Sequence, residues 1–170
     1  KQFSDRVASL QPSAIREILK FTADPTVISF AAGNPAPEAF PADIIAKLSA
    51  DIFAEEPVNA LQYSVTEGYA PLRARLEKDL RRDGLFRDGD MLVITSGAQQ
   101  AIETTAKILC NEGDVILCED PSFVGSLNAF RSYGVKLIGV PMDDDGMVPE
   151  LLEKALKDNP TTKFIYTIPN

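Results

Sequence analysis

Apolar positions along this chain switch between two periods, and the switch is sharpest at Met91 to Ile102. The apolar, β-branched run Met91-Leu92-Val93-Ile94 stops at Thr95-Ser96-Gly97, and an amphipathic helical pattern begins at once. That juxtaposition predicts a strand, a tight turn and a helix N-terminus with no intervening loop. Beyond it the alternation is regular. Strand 91–95 leads to helix 98–110, strand 114–118 to helix 122–132, strand 135–140 to helix 149–158, and strand 163–168 follows. Gly113, Gly134 and the turn Asp143-Asp144-Asp145-Gly146 punctuate these units. Strands alternating with helices of this length imply βαβ crossovers and a mainly parallel sheet with helices on both faces.

The first half is less regular. Ser13 ahead of Ala14-Ile15-Arg16-Glu17-Ile18-Leu19 predicts a short helix within residues 1–20. An apolar run at Val27 to Ala32 breaks into Gly33-Asn34-Pro35-Ala36-Pro37, where two prolines remove backbone donors and end any regular element. Pro41, at the first helical position that proline favours, opens a helix to about Phe53. A turn-rich segment holding Tyr63 and Gly68 then leads to a helix from Ala70 to Arg82. Leu72, Leu76 and Leu80 recur every fourth residue there and predict one buried stripe; Gly84 ends the helix.

Composition narrows the chemistry. Histidine is absent, which removes histidine triads, histidine-ligated metals and imidazole acid–base catalysis together. The formal net charge of −8 disfavours nucleic acid or an anionic membrane as partner, because phosphate repulsion is not offset. The densest basic group, Arg73, Arg75, Lys78, Arg81 and Arg82, alternates with Glu77, Asp79 and Asp83 and reads as a solvated helix face. Cys110 and Cys118 read as small buried hydrophobes, which fits a reducing cytoplasm. No long apolar span or signal-like N-terminus is visible, so the sequence predicts a cytoplasmic protein.

Ligands of open α/β sheets lie outside the carboxyl ends of the strands. Two segments occupy such ends: Thr95-Ser96-Gly97, and Glu119-Asp120-Pro121-Ser122-Phe123. At the first, a helix N-terminus exposes unpaired N–H groups and a partial positive charge, which suits an anion such as phosphate. Ser96 and Gln99 also fit a capping box, in which Ser96 bonds the Gln99 amide and Gln99 reaches back. Both readings are compatible. Neither G-x-x-x-x-G-K-[ST] nor a G-x-G-x-x-G after a strand occurs. Phe123 reads either as a core aromatic or as a ring stacked on a flat heteroaromatic ligand. Tyr63 reads as packing or as a phenol offered to phosphate. The acidic triplet Asp143-Asp144-Asp145 is out of register for a calcium loop, with Pro141 and Leu152 at ligand positions, and is expected to be a solvated turn between strand and helix.

Several segments in order carry a family likeness: Ala32-Gly33-Asn34-Pro35; Leu61-Gln62-Tyr63-Ser64 with Gly68 and Leu72-Arg73; Thr95 to Ala101; Gly113-Asp114; Glu119 to Phe123; and Tyr166-Thr167-Ile168-Pro169-Asn170. Together they resemble class I/II aminotransferases of the fold-type I pyridoxal-phosphate family, closest to the branch acting on 2-aminoadipate, kynurenine, aromatic or branched-chain amino acids. The resemblance implies an α/β fold: a three-layer α/β/α sandwich with a mainly parallel sheet, incomplete within these residues. Residues 1–45 would be an N-terminal arm and small-domain segment, and residues 46–170 the first part of the large cofactor-binding domain. The cofactor implied is pyridoxal 5'-phosphate, and the substrates an amino acid and a 2-oxo acid.

By position, the resemblance makes Ser96, Gly97, Ala98 and Gln99 a phosphate cup. Many relatives have a hydroxyl residue where this chain has Ala98, so one side-chain contact is lost. Phe123 falls where relatives stack an aromatic on the pyridine ring. Tyr63 matches a tyrosine that reaches the phosphate of the neighbouring subunit, implying a homodimer with shared active sites. Gly33 matches a glycine beside the substrate carboxylate, and Ile15 and Arg16 fall where substrate selectivity is set. The Schiff-base lysine, the aspartate under the pyridine nitrogen and the carboxylate-binding arginine are expected beyond Asn170, since no lysine here has a matching context. Residues 1–170 would then hold anchoring parts and no catalytic residue. The same scaffold also serves C–S lyases, aminocyclopropane-carboxylate synthases and cofactor-sensing domains of transcription regulators.

Overall fold

Val115, Ile116, Leu117 and Cys118 are all buried, although neighbouring residues of a strand point to opposite faces of a sheet. A strand buried on both sides requires cover on both sides, and that requirement organises the second of two compact units, which begins at Thr95. The computed structural model describes residues 35–169 and, before them, Ser4, Phe21, Asp24, Thr26, Val27, Ile28 and Phe30. The helix expected within residues 1–20 and half of the run from Val27 to Ala32 (Ser29, Ala31 and Ala32) lie outside the described residues.

The second unit contains α4 (Ala98–Leu109), β1 (Val115–Asp120), α5 (Val124–Arg131), β2 (Lys136–Asp143), β3 (Gly146–Met147), α6 (Pro149–Asp158) and β4 (Thr162–Tyr166). The sheet order is β3-β2-β1-β4. β1 is parallel to both β2 and β4, and β3 is antiparallel to β2. On one face Ile116 packs with Ala106 of α4 and Phe130 of α5, flanked by Ile102, Leu137, Phe164 and Tyr166. On the other, Val115, Leu117 and Val140 meet Leu152 and Ala155 of α6. This is the expected α/β/α layering.

Phe130 is the largest fully buried side chain and meets Phe164 and Tyr166 edge-on, with ring centroids 5.6 and 5.3 Å away. The Ser126 hydroxyl, fully buried, pairs with the Tyr166 hydroxyl at 2.8 Å and fastens α5 to β4. The acidic turn differs from expectation. Asp144 and Asp145 close a hairpin between β2 and β3, with Asp143 opposite Gly146, instead of leading from strand to helix. Gly146 adopts φ +114°, a left-handed value that glycine reaches without steric cost.

The other unit runs to Ile94. Its described elements are a 3-10 turn (Pro37–Ala39), α1 (Ala42–Glu55), α2 (Pro57–Leu61) and α3 (Ala70–Arg82). Pro41 caps α1 from outside its first turn, one position earlier than expected. The bounds of α3 match the sequence reading, but its stripe is only partly covered: Leu72 and Leu76 are 43% and 36% exposed, and Leu80 is half-buried. Periodicity identifies the apolar face of a helix; burial also needs a surface to lay it against. Arg75, Lys78, Arg81 and Arg82 are solvated as expected, with Arg75–Asp79 and Glu77–Arg81 pairs at 2.9 Å. Arg73, contrary to expectation, is half-buried, and its Nε is buried without a partner among the described residues.

Residues 91–95 form no strand ladder with any described residue. Exposure alternates from Met91 to Ile94, yet the backbone of the run is held by the Ile94 N–H donating to the Glu67 carbonyl at 2.9 Å and by the Thr95 carbonyl accepting from the Gly97 N–H at 2.9 Å. Gly68 permits that approach: a Cβ there would stand 2.6 Å from the Ile94 Cβ. No helix among the described residues is long and apolar enough to cross a membrane.

Two outcomes test this core. Phe130→Ala removes the packed ring and is expected to destabilise the protein by about 3–5 kcal/mol in chemical denaturation; a loss below about 1 kcal/mol would contradict the packing described. Burial pushes the thiols of both Cys118 and Cys110 up. Since the thiolate is the nucleophile, iodoacetamide labelling at about pH 7.5 should be slower than for free cysteine, slowest at Cys118, and should go on rising with pH beyond the point where free cysteine levels off. Peptide mass spectrometry over a time course reads this directly.

Candidate functional site: the helix terminus and aromatic ring at the strand ends

The turn into α4 is set by one backbone conformation. Gly97 is the N-cap of α4, with φ +84° and ψ 166°, a region open essentially to glycine alone. It makes no side-chain cap bond, and no atom lies within 4 Å of where a Cβ would stand. Among the described residues, nothing accepts a hydrogen bond from the N–H groups of Ala98, Gln99 or Gln100. The result is an open, all-backbone cradle of donors at the positive end of a twelve-residue helix.

The expected capping box is replaced by a shifted version. Gln100, not Gln99, reaches back, and its Oε1 accepts the Ser96 N–H at 2.5 Å. The N-cap is one residue later than a Ser96 cap requires, so the glutamine that faces Ser96 is also one later. Ser96 keeps its hydroxyl free of any described partner, beside the cradle. Gln99 turns toward the second segment: its Nε2 donates to the Gly125 carbonyl over 3.4 Å, a long bond.

That contact brings the two strand-end segments together, as expected from their placement. Phe123 is the N-cap of α5, directly beyond β1, and its ring is about half exposed. The ring lies against the backbone at Gly125, where an added Cβ would meet ring carbons Cε1 and Cζ at 2.6 and 2.8 Å. Ser96, Gly97, Ala98, Gln99 and Phe123 therefore converge. Tyr63 belongs to the other unit and is 99% exposed, with its backbone N–H bonded to its neighbour Gln62. Arg16 and Gly33 lie outside the described residues.

A separate cleft of about 800 Å³ opens beyond β1, β2 and β4, lined by Glu119, Ser122, Met142, Asp145 and Ile168 among others. None of the cradle residues lines it. Its carboxylates, Glu119 and Asp143 to Asp145, repel an anion. The charge of the helix terminus, by contrast, suits one. Glu119 also has a structural partner, accepting the Ile168 N–H at 3.1 Å.

Two residues of the arrangement, Gln100 and Gly125, were not singled out in the sequence. Gln100 sits four residues after Ser96, the helical spacing at which a side chain can reach back. Gly125 was signalled only by being a glycine two residues after an aromatic at a helix start.

Comparison with known proteins fits this geometry. The family model for aminotransferase class I and II matches residues 25–168, and the chain belongs to that family. It is 38% identical to an aromatic-amino-acid aminotransferase of Thermococcus litoralis, over 99% of this chain and 42% of that protein. Among solved structures, it is similar to a Pyrococcus horikoshii kynurenine aminotransferase in complex with PMP, with TM-score 0.88 and 35% identity. That match covers 99% of this chain and 43% of the other. It is also similar to the α-aminoadipate aminotransferase LysN of Thermus thermophilus, complexed with N-(5'-phosphopyridoxyl)-L-leucine, with TM-score 0.82 and 38% identity. That match covers 98% of this chain and 40% of the other. The chain thus spans about two fifths of the length of the relatives it matches.

The cradle depends on the Gly97 conformation. Gly97→Ala is expected to lower stability by about 1–3 kcal/mol through backbone strain alone, because the added methyl has no atom to strike. Urea denaturation of the two proteins checks it, and equal midpoints would refute the strained geometry.

Proposed function

We propose that the protein is a pyridoxal-phosphate-dependent aminotransferase, and that residues 95–125 hold the cofactor's phosphate and cover its ring. The observation that carries this reading is the cradle: unclaimed N–H groups at the α4 terminus, open because residue 97 has no side chain, beside a half-exposed aromatic ring. These residues fit the cofactor's two binding demands, a dianionic phosphate and a flat heteroaromatic face. Bound there, pyridoxal phosphate supplies an electron sink that lets the Cα–H of an amino acid be removed and its amino group pass to a 2-oxo acid.

This chain's own contribution is to bind and orient. The N–H groups of Ala98 and Gln99 and the hydroxyl of Ser96 donate to phosphate oxygens, where charge-assisted hydrogen bonds are strong. Ala98 offers its backbone alone. The Phe123 ring stacks on one face of the ligand and excludes water there. Tyr63 extends its phenol to the phosphate of a second copy, making a homodimer with shared sites; its near-complete exposure supports that role. Gly33 lies beside the substrate carboxylate, and Arg16 contributes to substrate selection. The group that moves the Cα proton lies outside residues 1–170. The substrate class is an aromatic, kynurenine-like or 2-aminoadipate-like amino acid, supported by the named relatives. Cys110 and Cys118, both free thiols, support a cytoplasmic setting.

The test is to incubate the intact protein with pyridoxal phosphate, an aromatic amino acid or 2-aminoadipate, and 2-oxoglutarate. Stoichiometric glutamate is expected. Pyruvate and ammonia released from a cystathionine-like substrate, without glutamate, would assign elimination instead.

A further inference from the structure

We propose that Gly125 is a positioning residue: with the Gln99 side chain, it sets the plane in which the Phe123 ring meets a flat heteroaromatic ligand. This rests on the cofactor reading above and adds to it a residue that touches neither phosphate nor substrate.

Glycine is the poorest helix former after proline, yet Gly125 lies in the first turn of α5 with no left-handed φ to explain it. The space that its missing side chain leaves is filled. Phe123 Cε1 and Cζ stand 2.6 and 2.8 Å from the Cβ position, closer than real Cβ contacts, and the Gln99 Oε1 stands at 3.4 Å. The Cε1–Cζ edge of the ring therefore occupies the place of the missing side chain, with the Gln99 side chain on the same spot, its Nε2 donating to the Gly125 carbonyl.

α5 itself cannot yield to relieve a clash there. Ser126 and Leu127 donate their N–H groups to the Phe123 carbonyl at 3.1 and 3.2 Å. The buried Ser126 hydroxyl pairs with Tyr166, and Phe130 is locked between Phe164 and Tyr166. The ring end, by contrast, is the free end of a side chain with two rotatable bonds. A methyl group at residue 125 thus turns the ring and leaves the fold in place.

The experiment compares the purified intact wild-type protein with Gly125→Ala, Phe123→Leu and the double variant. Three quantities are read: the apo melting temperature, the dissociation constant of pyridoxal phosphate by fluorescence titration, and that of inorganic phosphate by competition. Gly125→Ala is expected to keep or raise the apo melting temperature and to leave inorganic phosphate affinity unchanged. It should weaken pyridoxal phosphate about three- to tenfold, the value of one lost stacking contact. In the Phe123→Leu background the same substitution should cost nothing further, because no ring remains to be turned.

An unchanged pyridoxal phosphate affinity in Gly125→Ala would overturn the proposal. So would an equal loss in both backgrounds, a parallel loss of inorganic phosphate affinity, or a marked fall in apo melting temperature, each of which assigns Gly125 a merely structural part. Failure of the wild-type protein to bind pyridoxal phosphate at all would overturn the cofactor reading and this proposal with it. The other outcomes leave that reading standing.

Discussion

Val115 to Cys118 are buried on both faces of the sheet, and much of the second unit follows from that packing. Alternate residues of β1 must be covered from opposite sides, so α4 and α5 take one face and α6 the other. Once those helices are seated, their ends are fixed too. The N-terminus of α4 and that of α5 open at the same edge of the sheet, beyond the carboxyl end of β1. The contact between Gln99 and Gly125 records how close that places them. A binding edge of this kind is a geometric consequence of parallel strands connected by helices, before any ligand chemistry is considered.

Electrostatics then separates two places at that edge. The cleft beyond β1, β2 and β4 is walled by Glu119 and the three aspartates of the β2–β3 hairpin, which suit no anion. The cradle at α4 has no acidic side chain among its residues, and its donors are backbone groups that cannot titrate. Its attraction for phosphate is therefore expected to hold across the pH range in which a phosphate monoester is charged. Gly97 is essential because only a glycine reaches that backbone conformation, and because its missing side chain leaves the donors uncovered. Gly125 makes a parallel case in which the vacated volume is taken by a ring.

Local pattern in the chain was informative wherever a local interaction decides the outcome. The helix start after Ser96-Gly97 and the helix Ala70–Arg82 were legible because turn chemistry and periodicity act over a few residues. So was the helix Pro149–Asp158, opened by proline. The expected strand 91–95, by contrast, pairs with none of the described residues. The order of segments along the chain was legible as well: apart from Pro169 and Asn170, those that resemble the aminotransferase family lie within the residues its model matches. The hairpin Asp143–Gly146 was less so, since a two-residue strand carries no periodic signal, and the capping partner of Ser96 was misread by one position.

The sequence by itself thus determined the elements, the α/β class and the glycine-cornered helix terminus, because each depends on neighbours close along the chain. Tertiary structure alone decided which apolar faces are covered. Ile116 and Phe130 find partners far away in sequence and are fully buried, whereas Leu72 and Leu76, on an equally regular stripe, are only partly covered. It also decided that Gln99 should face Gly125, 26 residues away, and that the Phe123 ring should lie in a glycine's empty place. Burial and convergence are properties of surfaces meeting in space, and periodicity along one segment specifies only half of each meeting.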